Sequence, residues 1–66
     1  MKDKYLGDLI ESEVYEYFDG RICYIDKIHT HYCVVYETER AIESPWKWNL
    51  RSRDYLLRNI RTIMEV

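Results

Sequence analysis

Asp19-Gly20 lies between two runs of strand-favouring residues, Val14-Tyr15-Glu16-Tyr17-Phe18 and Arg21-Ile22-Cys23-Tyr24-Ile25. A tight antiparallel connection needs a positive φ, which glycine supplies without steric cost, so this dipeptide marks a β-hairpin. The second strand reads on from Ile22 to Ile28, with Ile22, Tyr24 and Ile28 on one face and Cys23 and Ile25 on the other. His29-Thr30-His31 interrupts it, and Tyr32-Cys33-Val34-Val35-Tyr36 forms a third β-branched and aromatic run. These signals together give a three-stranded meander.

Residues 37–50 read as a loop that closes on Pro45-Trp46-Lys47-Trp48, where the alternation Trp46, Trp48, Leu50 suits a short strand with its apolar side facing in. Ser52 is placed to cap a helix, and Asp54 in the first turn is favoured by the helix dipole. Leu56, Ile60 and Ile63 then recur at spacings of four and three, a helical stripe. Before the hairpin two readings stay open. Leu6, Leu9, Ile10, Val14 and Tyr17 fit a helix, which gives an α+β fold of αββα order. Gly7 inside that helix would cost about 1 kcal/mol relative to alanine, and Leu9-Ile10-Glu11-Ser12 has a strand-like pattern.

Sixty-six residues form one domain, residues 1–66, near the lower limit for folding on a single core. Seven tyrosines, two tryptophans and one phenylalanine make 15% of the chain, enough large rings to fill a small core. No apolar run is long enough for a bilayer span or a signal peptide, so the expected setting is the cytoplasm, with no membrane partner and with Cys23 and Cys33 as thiols. The net charge of −2 conceals a gradient. Residues 1–20 set Lys2 and Lys4 against Asp3, Asp8, Glu11, Glu13, Glu16 and Asp19, a balance of −4. Residues 45–66 set Lys47, Arg51, Arg53, Arg58 and Arg61 against Asp54 and Glu65, a balance of +3.

Gly7-Asp8-Leu9-Ile10, Tyr17-Phe18-Asp19-Gly20-Arg21, Cys23-Tyr24-Ile25, Ile28 and Val34-Val35-Tyr36-Glu37 resemble the small SH3-like and Tudor-type barrels. Those domains often show a glycine-acidic-apolar first strand, a DG hairpin and a V-x-Y-acidic third strand. Asn59-Ile60-Arg61-Thr62-Ile63 is similar to their closing segment. The resemblance implies a small SH3-like barrel; together with the residue patterns the expected fold is mainly β, that barrel or a three-stranded meander, with a short C-terminal helix. The apolar stripe from Ser52 departs from the pattern, leaving the end as strand or helix.

Motifs of catalysis are missing: there is no phosphate loop, no GxGxxG and no HExxH, and no cofactor is expected. Cys23, His29, His31 and Cys33 are all legitimate zinc ligands, but their spacing is not that of a paired knuckle. With the hairpin turning on Thr30, Cys23 lies opposite Glu37 and Cys33 opposite Lys27. Four strand residues, about 13 Å, then separate the cysteines, too far for one tetrahedron or one disulfide. Pairing Cys33 with His31 for catalysis leaves both without an orienting third group. The expectation is no metal and no enzyme.

Binding remains. Lys47, Arg51, Arg53, Arg58 and Arg61, interleaved with Trp46, Trp48 and Tyr55, provide the cations and stacking rings that single-stranded nucleic acid requires. A pI near 5.6 weighs against that reading. Another protein is the favoured partner, because interfaces are enriched in Tyr, Trp and Arg. Trp46, Trp48 and Tyr36 are the expected contacts, with Asp8, Glu11, Glu13, Glu16 and Asp19 as an acidic second surface that stands where phosphates would. Size and charge associate such a chain with phage-encoded inhibitors of host enzymes or nucleic-acid-binding proteins. A homodimer through an exposed edge strand is compatible with either partner.

Overall fold

Across the Asp19-Gly20 turn, β1 (Val14–Tyr17) pairs antiparallel with β2 (Ile22–Ile28) in the computed structural model, which describes residues 4–39 and 45–64. Gly20 has φ of 94°, and Asp19 Oδ1 accepts the Arg21 N–H at 3.0 Å. The turn is thus closed by the two residues that announce it. The chain continues through β3 (Tyr32–Thr38), β4 (Lys47–Ser52), α1 (Arg53–Asn59) and β5 (Ile60–Ile63). The five strands form one antiparallel sheet in the order β4-β3-β2-β1-β5. The fold is mainly β with a short C-terminal helix.

Strand alternation sorts the side chains. Tyr15 and Tyr17 of β1, Cys23 and Ile25 of β2, and Cys33 and Val35 of β3 point to one face and are buried there with Leu9, Leu56 and Ile60. Two register shifts adjust this pattern. Between Ile25 and Lys27 the β2–β3 pairing slips, leaving Asp26 as an extra residue. A bulge of this kind re-aims the side chains beyond it, so Ile28 packs against the core and not on the Ile22–Tyr24 face expected for it. It also sets Cys33 opposite Ile28 in place of Lys27, while Cys23 does lie opposite Glu37.

The second shift explains the C-terminal stripe. α1 is short: Ser52 Oγ accepts the Tyr55 N–H at 3.0 Å, and the Ile60 N–H closes the last turn on the Leu56 carbonyl. The chain then becomes β5, with Ile60 opposite Tyr17 and Ile63 opposite Tyr15. Three residues of β5 therefore span two of β1, and the extra one puts Ile60 and Ile63 on one side. A bulged strand thus imitates the spacing of a helix.

The αββα alternative is corrected. Among the described residues before β1 there is no helix. Residues 4–13 instead lie irregularly along the core, where Leu9 is buried and the Ser12 N–H bonds the Ile25 carbonyl at 2.7 Å. Two tyrosine hydroxyls hold this segment: Tyr5 donates to the Asp8 carbonyl at 2.6 Å, and Tyr15 accepts the Ile10 N–H at 3.0 Å. The Gly7-Asp8-Leu9-Ile10 run falls here and not on a strand.

Candidate interaction surface

If Tyr15, Cys23 and Val35 face the core, their neighbours face the other way. The register places Val14 opposite Tyr24, Tyr24 opposite Tyr36, and Tyr36 opposite Trp48, one row across four strands. Met64 extends it toward β5 through its N–H to the Val14 carbonyl at 2.8 Å. Val34 opposite Leu50 begins a parallel row. The Tyr24 and Tyr36 rings lie 6.5 Å apart, and Val14, Tyr24, Tyr36 and Trp46 line a shallow groove of about 310 Å3. At the sheet edge Trp48 is 57% exposed and Leu50 48%.

This corrects the expectation that the Trp46, Trp48, Leu50 side of β4 faces in. Arg51 reaches Glu37 with two bonds, Nε to Oε2 at 2.9 Å and Nη2 to Oε1 at 2.8 Å. That pairing fixes the odd residues of β4 on the Glu37 side and turns Trp48 and Leu50 outward, since neighbouring side chains alternate.

Glu37 is the centre of the opposite face at this end. It is 7% exposed, and Tyr17 donates its hydroxyl to Oε2 at 2.5 Å. Arg51 lies over the Tyr55 ring and Arg21 over the Tyr17 ring. Arg21 also bonds Asp19 and approaches Glu37 to 4.0 Å. Burial acts to raise the Glu37 carboxyl, but hydrogen bonds from Arg51 and Tyr17 and the charges of Arg51 and Arg21 outweigh it and hold it below the ordinary glutamate value. Burial, with Cys23 and Glu37 adding to it, keeps the Tyr17 phenol protonated far above its usual range. Among the described residues every buried side-chain nitrogen and oxygen has a partner.

The two thiols are buried in the core. Burial pushes Cys23 up to about 12 and also raises Cys33. His29 stacks on Tyr32 at 4.7 Å, exposed with His31 at the β2–β3 tip. Among the described residues no three or more His, Cys, Asp or Glu side chains converge as a metal site. No described helix is long and apolar enough to cross a membrane.

Of the expected contacts, Tyr36 and Trp48 are brought together as cross-strand partners, with Trp46 half-buried beside Tyr36. The acidic residues are spread over both ends of the β1–β2 hairpin. Asp8 and exposed Glu11 lie on the N-terminal segment, where Glu11 Oε2 accepts the Ile28 N–H at 2.9 Å. Glu13 precedes β1, Glu16 pairs with Arg61 at 2.6 Å, and Asp19 holds the turn. The basic residues are divided too: Lys47 and Arg51 on β4, Arg53 and Arg58 on α1, Arg61 on β5. Arg58 turns back to the Asp54 carbonyl at 3.3 Å. Val14, Tyr24, Val34, Leu50 and Met64 join the surface without having been singled out in the sequence. The period of two in β1 to β4 is the signal that contains all of them but Met64, which follows β5.

Compared with protein-family models, curated proteins and solved structures, the chain matches none.

Proposed function

We propose that this domain is a non-enzymatic protein-binding module that docks its partner on the outer face of the sheet. The observation that carries this reading is the apolar row Val14–Tyr24–Tyr36–Trp48, which ends in a tryptophan 57% exposed at the sheet edge. The row stands outside the core cluster, and Trp48 and Leu50 at its edge remain exposed. Exposed apolar rows of this kind mark interaction sites, and Tyr and Trp dominate the binding energy of interfaces. The divided arginines, with Arg51 bound to Glu37 and Arg61 to Glu16, favour protein over nucleic acid. The DG turn, the Val34-Val35-Tyr36-Glu37 strand and the closing segment 59–63 fall on the β1–β2 connection, β3 and the α1–β5 end, which supports an SH3-like barrel as the scaffold.

A tagged pull-down from source-cell lysate, with and without nuclease, tests the reading. The expected result is one protein enriched in both arms and lost with Trp48→Ala. A catch that vanishes with nuclease would move the function to nucleic acid.

A further inference from the structure

β4 is an edge: among the described residues it pairs with β3 and with no other strand. The Leu50 N–H donates to Asn49 Oδ1 at 2.9 Å and not to β3. Main-chain groups alternate sides along a strand, so those of Trp48 and Ser52 point away from β3 with it. In the isolated domain the Asn49 amide covers one of these outward donors, a form of edge protection.

Side chains at this edge divide by face. Trp48 and Leu50 end the apolar rows of the outer face. Lys47, Asn49 and Arg51 line the inner side, on a cleft of about 200 Å3 that also includes Arg21, Glu37 and Glu39. Lys47 lies opposite Glu37, but the Glu37 oxygens are occupied by Arg51 and Tyr17. Among the described residues Lys47 has no ion pair.

We propose that β4 is completed by an extended segment of a partner protein, added as a further strand along Lys47–Ser52, in which apolar and acidic side chains alternate. The inference rests on the protein-binding reading and gives the partner its chemistry. The incoming main chain takes the outward groups of Trp48 and Leu50 and the Ser52 N–H, as in other strand additions to a sheet edge. The Ser52 carbonyl is used by the first turn of α1. Its apolar side chains continue the outer rows past Trp48 and Leu50. Its acidic side chains stand over the cleft, where one carboxylate answers Lys47. A second copy of this chain paired through β4 about Asn49 would set Lys47 opposite Arg51 twice, and like charges directly opposite are destabilising.

Two synthetic peptides, one alternating valine with glutamate and one alternating valine with lysine, test this by amide-resolved NMR of the whole chain. The glutamate peptide is expected to shift the Trp48, Leu50 and Ser52 amides and slow their hydrogen exchange, while the lysine peptide leaves them unchanged. Lys47→Glu should weaken the glutamate peptide about tenfold, the change for one attractive contact made repulsive, and should admit the lysine peptide. Leu50→Pro removes an outward N–H without breaking the ladder to β3, a position where an edge strand tolerates proline, and should abolish binding. Equal response to the two peptides, no response, shifts that spare the edge, or edge protection that grows with protein concentration alone would each overturn the inference. Tyr36→Ala, on the outer face but inside the sheet, separates the two claims. A lysate partner lost with Tyr36→Ala and kept with Leu50→Pro sinks the edge inference alone, and one kept with both sinks the outer-face reading as well.

Discussion

Glu37 joins three elements through one carboxylate, because Tyr17 of β1 and Arg51 of β4 both bond it inside β3's inner face. Its carboxyl is held below the ordinary value, so between the folded and unfolded pKa the unfolded chain binds more protons. The pair therefore stabilises the fold above the unfolded value, near pH 4.3, and that contribution is lost as pH falls through the folded one. Glu37→Gln is expected to cost about 2 kcal/mol near neutrality by leaving Arg51 half-answered, and to flatten the acid side of a urea-denaturation profile taken against pH. An unchanged acid slope would remove Glu37 from that role. Burial makes a second residue-level prediction. Cys23 and Cys33 should resist iodoacetamide at mildly alkaline pH in the native state and react fully in denaturant, because the thiolate is the nucleophile and burial opposes it. The Cys23–Glu37 pairing could be read from the hairpin arithmetic alone. That Arg51 would answer Glu37 could not, since they lie fourteen positions apart in the chain.

At the scale of elements, local chemistry was legible and register was not. Asp19-Gly20 and Ser52 each mark their boundary through a single physical need, a positive φ and a cap for an orphan N–H. Gly20→Ala should therefore cost about 1 kcal/mol or more from backbone strain alone, since an added Cβ there meets nothing within 4 Å. Gly20→Asn should cost less, because asparagine tolerates the left-handed region. Ser52→Ala should cost about 1 kcal/mol through the lost cap. Equilibrium urea unfolding measures all three. The two bulges were hidden, and each misdirected a pattern argument: Asp26 moved Ile28 to the core side, and the β1–β5 shift made Ile60 and Ile63 look helical. A one-residue insertion leaves composition and propensity untouched while changing every face after it. The N-terminal segment was ambiguous for another reason. Its order depends on tertiary contacts from Tyr15 and Ile25 that no local propensity encodes.

For the molecule as a whole, the described residues gather the core on one face of the five-stranded sheet and leave Trp48 and Leu50 exposed on the other. The core takes Tyr15, Tyr17, Ile25, Val35, Leu56 and Ile60, Tyr5 and Tyr55 pack against it, and Tyr24, Tyr36, Trp46 and Trp48 line the other face. The high aromatic content thus has two destinations, and the sequence alone could not apportion the rings between them. β4 shows why: its pattern is that of any amphipathic strand, and only the Arg51–Glu37 pair shows which side is wet. The central claim is that this outer face binds protein without being needed for folding. The measurement that tests it most directly is calorimetric affinity for the captured partner, wild type against Trp48→Ala, alongside the urea midpoint of each. The expected result is binding weaker by at least about 1 kcal/mol, with stability changed by less than about 1 kcal/mol, the scale of one cross-strand pair. Unfolding of the variant, or binding that survives unchanged, would contradict the claim.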